Sequence, residues 1–90
     1  MSEIPEIVIR EEWALPLARA EAFFLAQSDV QVLGKGCFRC GGCLVALCAL
    51  PERRLGNLTL PRLSLEYRGK AADIATLRQD FLWRFLSAGG

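Results

Sequence analysis

The sequence predicts an α+β domain: an antiparallel sheet of three to four strands with two helices packed on one face, in the order β-α-β-β-β-α. Three observations predict it. Short β-branched or alternating segments stand near the start and through the middle of the chain. Two segments, one early and one at the end, repeat apolar residues at helical spacing. Glycine, proline and polar residues punctuate the boundaries between them. Ninety residues with no repeat, linker or low-complexity tract make one compact domain over residues 1–90.

Residues 6–10, EIVIR, are β-branched and read as a strand, with Trp13 and Leu15 continuing an alternation toward Pro16. Pro16 suits the first turn of a helix, where its missing N–H costs nothing. In the segment that follows, Leu17, Ala20, Phe24 and, at the margin, Leu25 line one side, which predicts a helix of about three turns ending near Ser28-Asp29. Residues 30–40, VQVLGKGCFRC, are β-rich but interrupted by Gly34 and Gly36, and read as one strand. Gly41-Gly42 between apolar runs is a hairpin signal, because the favoured two-residue turns need a positive φ. The second arm, CLVALCAL at 43–50, is apolar on both faces, as a central strand would be.

ERRLGN at 52–57 reads as a polar loop. Beyond it Leu63, Leu65 and Tyr67 alternate with Arg62, Ser64, Glu66 and Arg68, a strand with one wet face. Pro61 cannot donate to a ladder, so it marks an edge or a bulge. In the last segment Ile74, Leu77, Phe81, Leu82, Phe85 and Leu86 form one helical stripe that ends at Gly89-Gly90.

Composition narrows the function classes. Eleven basic and ten acidic residues leave a net charge of +1. A chain so near neutrality has no long-range field to draw it to nucleic acid or anionic lipid. The longest apolar run, Cys43 to Leu50, is far shorter than the ~20 residues of a membrane helix. The opening MSEIPEIVIREEW carries glutamates where an export signal needs lysine or arginine. The expectation is a cytoplasmic protein without a membrane segment, whose thiols stay reduced. At 52% apolar side chains, it carries more than a small monomer readily hides, which predicts a homodimer or a permanent protein partner.

Four cysteines fall within residues 37–48. Cys37-x2-Cys40-x2-Cys43 repeats the spacing that wraps thiolates around an iron–sulfur cluster, with Cys48 as a fourth candidate ligand. The fit is partial, since four residues rather than three precede Cys48 and no histidine exists to complete a zinc site. Strand geometry argues against it as well: residues three apart point to opposite faces, and the Gly-Gly hairpin sets Cys40 across from Cys43 with Cys37 and Cys48 on the other side. Cys40-Gly-Gly-Cys43 also lacks the helix N-terminus that lowers a redox thiol's pKa. The expectation is four structural thiols and no cofactor, with a cysteine-centred metal, cluster or redox protein as the alternative.

Gly34-x-Gly36 lacks the third glycine of a dinucleotide fingerprint, because Arg39 stands there, and no helix is expected to begin beside it. The absence of histidine removes the commonest general base, and Glu11-Glu12, Asp73 and Asp80 read as solvated carboxylates. Trp83 falls opposite the apolar stripe of the last helix, and Arg78 lies within that stripe, where it must snorkel or meet a carboxylate. Tryptophan and arginine are the residues most enriched at binding hot spots, so Trp83 and Arg78 are the candidate partner-binding residues. The leading expectation is a small intracellular, non-enzymatic interaction domain that self-associates or docks on another protein.

Without its first strand, the predicted order of helix, three strands and helix is similar to that of the double-stranded RNA-binding domain. That likeness implies basic side chains at the start of the last helix; Arg68 and Lys70 stand there, with Arg53-Arg54 in the loop before it. AADIATLRQD supplies acids in place of a lysine-rich helix start, so weak RNA binding is a second alternative.

Overall fold

The computed structural model describes residues 5–87. Its elements run β1 (Glu6–Trp13), α1 (Leu17–Leu25), β2 (Val30–Gly34), β3 (Cys37–Cys40), β4 (Cys43–Leu55), β5 (Leu58–Lys70) and α2 (Ala71–Leu82), which passes into a π-helical turn at Trp83–Ser87. The predicted helix end at Gly89-Gly90 lies outside the described residues. All strands join one antiparallel sheet in the order β1-β5-β4-β3-β2.

The α+β layering is as expected, but the strand count and the order are not. The sheet has five strands and the order is β-α-β-β-β-β-α. Residues 30–40 are two strands rather than one, folded at Lys35-Gly36, with Gly36 at φ +73°. A register shift between Val32 and Gly34 absorbs Leu33 as a bulge, so of the two glycines that looked like interruptions Gly34 ends β2 and Gly36 belongs to the turn. Residues 52–57 are no loop either. β4 runs on through Arg53 and Arg54 to Leu55 and turns back tightly at Gly56-Asn57, with Gly56 at φ +62°. Polar residues extend a strand here because this part of the hairpin reaches past the neighbouring strands and meets water on both edges.

Pairing explains the shape. β3 covers β4 only as far as Ala46, and β1 covers β5 only as far as Leu63, so residues 50–62 form a two-stranded arm that no third strand flanks. The molecule is accordingly elongated, 57 × 26 × 21 Å. The register slips once along the arm: Leu50 faces Arg62 but Arg53 faces Leu60, so Pro51 and Glu52 stand opposite the single residue Pro61. Proline lacks the donor a continuous ladder would need at that point, and the bulge removes the need.

Both helices lie on one face. Phe38, Val45, Leu47, Leu63, Leu65 and Tyr67 alternate inward from the strands and meet Ala20 and Phe24 of α1 and Ile74, Leu77 and Phe81 of α2. Phe81 is the hub. Its ring lies 5.0 Å from Trp13, 5.2 Å from Phe23, 5.5 Å from Phe24 and 4.7 Å from Phe85, joining β1, both helices and the π-helical turn. Leu25, at the margin of the predicted α1 stripe, is more than half exposed, while Phe23 packs against the core.

Candidate functional site

The Gly-Gly turn disperses the four thiols. Gly41 adopts φ +60° and Gly42 does not, the turn whose twist matches a two-residue hairpin, and it sets Cys40 directly across from Cys43. Both thiols are buried on the helix-covered face, whereas Cys37 and Cys48 are exposed on the opposite one. Burial pushes the Cys43 thiol up to about 11, although a hydrogen bond from the Arg68 backbone works the other way. Burial, and then the nearby Asp29 carboxylate, raises Cys40. A thiol held protonated is a poor ligand and a poor nucleophile. Among the described residues no group of three or more cysteines and carboxylates could hold a metal ion. The arrangement gives a cluster no place to converge: two pairs of sulfurs lie on opposite sides of a sheet.

Next to the same turn, Asp29, Asp73 and Asp80 border a polar depression of about 310 Å³ that also includes Gln27 and Thr76. The Asp29 and Asp73 carboxylates lie against the turn glycines, so close that a Cβ on Gly41 or Gly42 would fall 2.8 or 2.5 Å from a carboxylate oxygen. These acids crowd the turn and leave no room for a side chain there.

Trp83 and Arg78 are not brought together. Trp83 opens the π-helical turn and is 64% exposed, in a shallow groove of about 470 Å³ with Gln79, Leu82 and Leu86. Arg78 sits on the side of α2 that faces β1, where its Nε donates to Glu11 Oε2 at 2.8 Å. The arginine in the apolar stripe thus meets a carboxylate, as its position required. Glu11 itself was misjudged as solvated: its side chain is only 17% exposed, because it lies between Ile9 and Trp13 on the inward face of β1. The two-residue alternation of Ile7, Ile9 and Trp13 was the available signal. Glu11 Oε1 and the nearby buried Tyr67 hydroxyl have no hydrogen-bond partner.

The sequence reading missed the helix-free face of the sheet. On β4, Leu44, Ala46, Cys48 and Leu50 point away from the helices, and the bulge preserves that orientation for Arg53 and Leu55 beyond it. Leu58 and Leu60 pair with Leu55 and Arg53 and so share the face. The result is an apolar line along β4 that starts at a depression of about 210 Å³, lined by Leu33, Cys37, Leu44 and Ala46 together with Glu66 and Arg68, and continues past Arg53 to the arm's tip. At the tip Leu55 and Leu58 are 54% and 64% exposed. Charges border the strip on both sides and interrupt it: Arg68, Glu66 and Arg62 stand opposite Leu44, Ala46 and Leu50 on β5, Arg39 stands opposite Leu44 on β3, and Arg53 lies in the strip itself. Arg10 pairs with Glu66 at 2.8 Å, and Arg62 grips Glu12 with Nη2–Oε1 at 2.8 Å and Nε–Oε2 at 3.2 Å. The hydrogen bond from Arg62 lowers the Glu12 pKa and raises that of the arginine.

With four strands between the helices, the likeness to the double-stranded RNA-binding domain does not hold. Arg53 and Arg54 lie on the arm, far along the strand pair from Arg68 and Lys70 at the start of α2. No protein family and no curated protein sequence matches the chain. No described helix is long and apolar enough to cross a membrane.

Proposed function

We propose that the chain is a small, non-enzymatic protein-interaction module of the cytoplasm, which associates with itself or with another protein. One observation carries this reading: an apolar line on the helix-free side of β4, Leu44, Ala46, Cys48 and Leu50, continues past Arg53 to exposed Leu55 and Leu58 on an arm that nothing else in the described chain covers. Exposed apolar surface of this extent, bordered by polar residues, is characteristic of interaction sites. A two-stranded ribbon in water is marginal by itself, so the arm gains most from a partner that shields its leucines. The near-neutral charge supports a protein partner over nucleic acid, and four free thiols are in keeping with a reducing compartment. The Trp83 groove on the other side of the molecule offers a second, smaller contact. Arg78, held by Glu11 against β1, takes no part in it.

Cys48 is a built-in reporter, since it lies exposed within the strip. Maleimide labelling of Cys48 in intact cells should be slower than in the same protein purified and highly diluted. The buried Cys40 and Cys43 serve as internal references. Equal labelling in both settings means that the face is bare in the cell and overturns the reading.

A further inference from the structure

We infer that the outer edge of β1 pairs with β1 of a second copy, antiparallel across a twofold axis at Val8, and so joins two five-stranded sheets into one. The inference goes beyond the reading above, because it concerns a different surface: β5 separates β1 from the apolar line on β4. β1 is one of two edge strands, and the two differ. β2, the other, has five residues, carries a bulge at Leu33 and ends at a glycine, features that discourage a further strand. β1 runs eight residues in unbroken register along β5, with no proline, glycine or bulge. Its Ile7 and Val8 are 38% and 43% exposed. The side of α2 that reaches β1 leaves this edge clear, since Arg78 is preceded at one and two turns by the small, exposed Ala75 and Ala71.

Register is what names a second copy. A twofold axis that pairs two identical edges antiparallel must pass between a residue and its own counterpart, and residues directly opposite share a face of the sheet. Each choice of central residue therefore fixes every other pair. Arg10 at the centre sets Arg10 against itself and Ile9 against Glu11, and Glu11 at the centre brings two largely buried carboxylates together. Ile9 at the centre sets Ile7 against Glu11 and Glu6 against Glu12, while Ile7 shortens the ladder and sets Glu6 against Val8. Val8 alone sets apolar against apolar and acid against base: Val8 meets Val8, Ile7 meets Ile9, and Glu6 meets Arg10 at both ends. The charges then alternate across four strands. Lys70 stands opposite Glu6 on β5 and Glu66 opposite Arg10, so the row reads Lys70, Glu6, the partner's Arg10, the partner's Glu66. Arg10 bonds Glu66 through its Nε at 2.8 Å and is 75% exposed, which leaves its terminal nitrogens for a second carboxylate. Glu6 makes no ion pair among the described residues. Pro5 falls opposite Glu11 and, with no N–H to donate, ends the ladder at each extremity.

The test uses the full chain. Sedimentation equilibrium should show a monomer–dimer equilibrium that approaches twice the chain mass as concentration rises. Val8→Glu sets two carboxylates against each other on the axis while gaining Arg68 as a neighbour within its own chain, and should weaken the dimer about tenfold or more. Glu6→Arg and Arg10→Glu should each weaken it alone, and an equimolar mixture of the two should restore it, because every reversed charge then meets its opposite. Circular dichroism checks that each variant folds; if a charge reversal does not, Val8→Glu decides by itself, and the mass of the parent needs no variant. A parent that stays monomeric up to about 1 mM overturns the inference, as does a dimer that Val8→Glu leaves at full strength. A mixture no stronger than its components overturns the Val8 register and the pairing with it. Cys48 labelling keeps the two readings apart. Equal labelling in cells and in dilution, with the dimer intact, removes only the interaction face on β4; slowed labelling of a chain that stays monomeric removes only the β1 pairing.

Discussion

Alkaline stability offers a direct check on where the hairpin sends its thiols. Cys43 is fully buried, and burial raises its pKa from an ordinary 9.0 to about 11. A folded-state pKa raised above the unfolded value means that the unfolded chain loses its proton first. The stabilising contribution is therefore complete below pH 9 and drains away as the pH climbs through about 11. For one group with these two values, linkage gives a loss of about 1 kcal/mol between pH 8 and pH 10 and about 2 kcal/mol by pH 11. Cys40, raised by burial and by Asp29, and Tyr67, raised mainly by burial, add losses of the same sign. The Cys43 share is isolated by comparison with Cys43→Ala, which lowers stability by a fixed amount but no longer titrates. Urea unfolding under a thiol-free reductant at pH 8 and pH 10 should show the parent losing about 1 kcal/mol more than the variant. Equal losses would mean that Cys43 reaches water in the folded protein, and the opposite-faces account of the cysteines would fail with it.

Further expectations concern packing, pairing and the turn. Phe81→Ala empties the hub of the aromatic cluster and should cost about 3–5 kcal/mol, read as a large fall in melting temperature. A double-mutant cycle with Glu11→Gln and Arg78→Met should give a coupling of about 1–3 kcal/mol, because Glu11 is largely buried, and the same cycle on the exposed Glu12–Arg62 pair should give a clearly smaller one. Tyr67→Phe removes a buried hydroxyl without a partner and should leave stability unchanged or raise it by about 1 kcal/mol in denaturant titration. Gly41→Ala combines φ +60° with a carboxylate 2.8 Å from the new Cβ, and should destabilise by about 1–2 kcal/mol or more, visible as a lower urea midpoint.

How much of this could be read beforehand follows a physical division. Elements that bury one clean face were legible: the inward series Leu63, Leu65 and Tyr67, the stripe of Ile74, Leu77 and Phe81, and the Gly41-Gly42 reversal with its consequence for Cys40 and Cys43. Alternation and helical periodicity record burial, and these segments are buried. Residues 52–57 were opaque because a ribbon wet on both edges has no face to conceal, so Arg53 and Arg54 read as loop. Leu55-Gly56-Asn57-Leu58 did carry a hairpin signal, which the surrounding charges obscured. Residues 30–40 hid a second turn because one glycine with positive φ suffices at Gly36. The leucine strip followed from neither pattern. Its residues share a face only once the bulge opposite Pro61 has reset the alternation, and that offset belongs to the pairing, not to either strand.

The pairing of β1 with β5 sets the order in which the protein can be completed. β5, the neighbour that β1 hydrogen-bonds to, is synthesised well after it, once α1 and three strands have been made in between. Until then Ile9 and Trp13 have no surface to settle on, and the aromatic hub stays open because Phe81 has not yet been translated. Contacts between such distant parts of a chain are slow to form. The apolar side of β1 therefore waits in solvent while the intervening strands are made, and it is covered only once β5 and α2 have emerged.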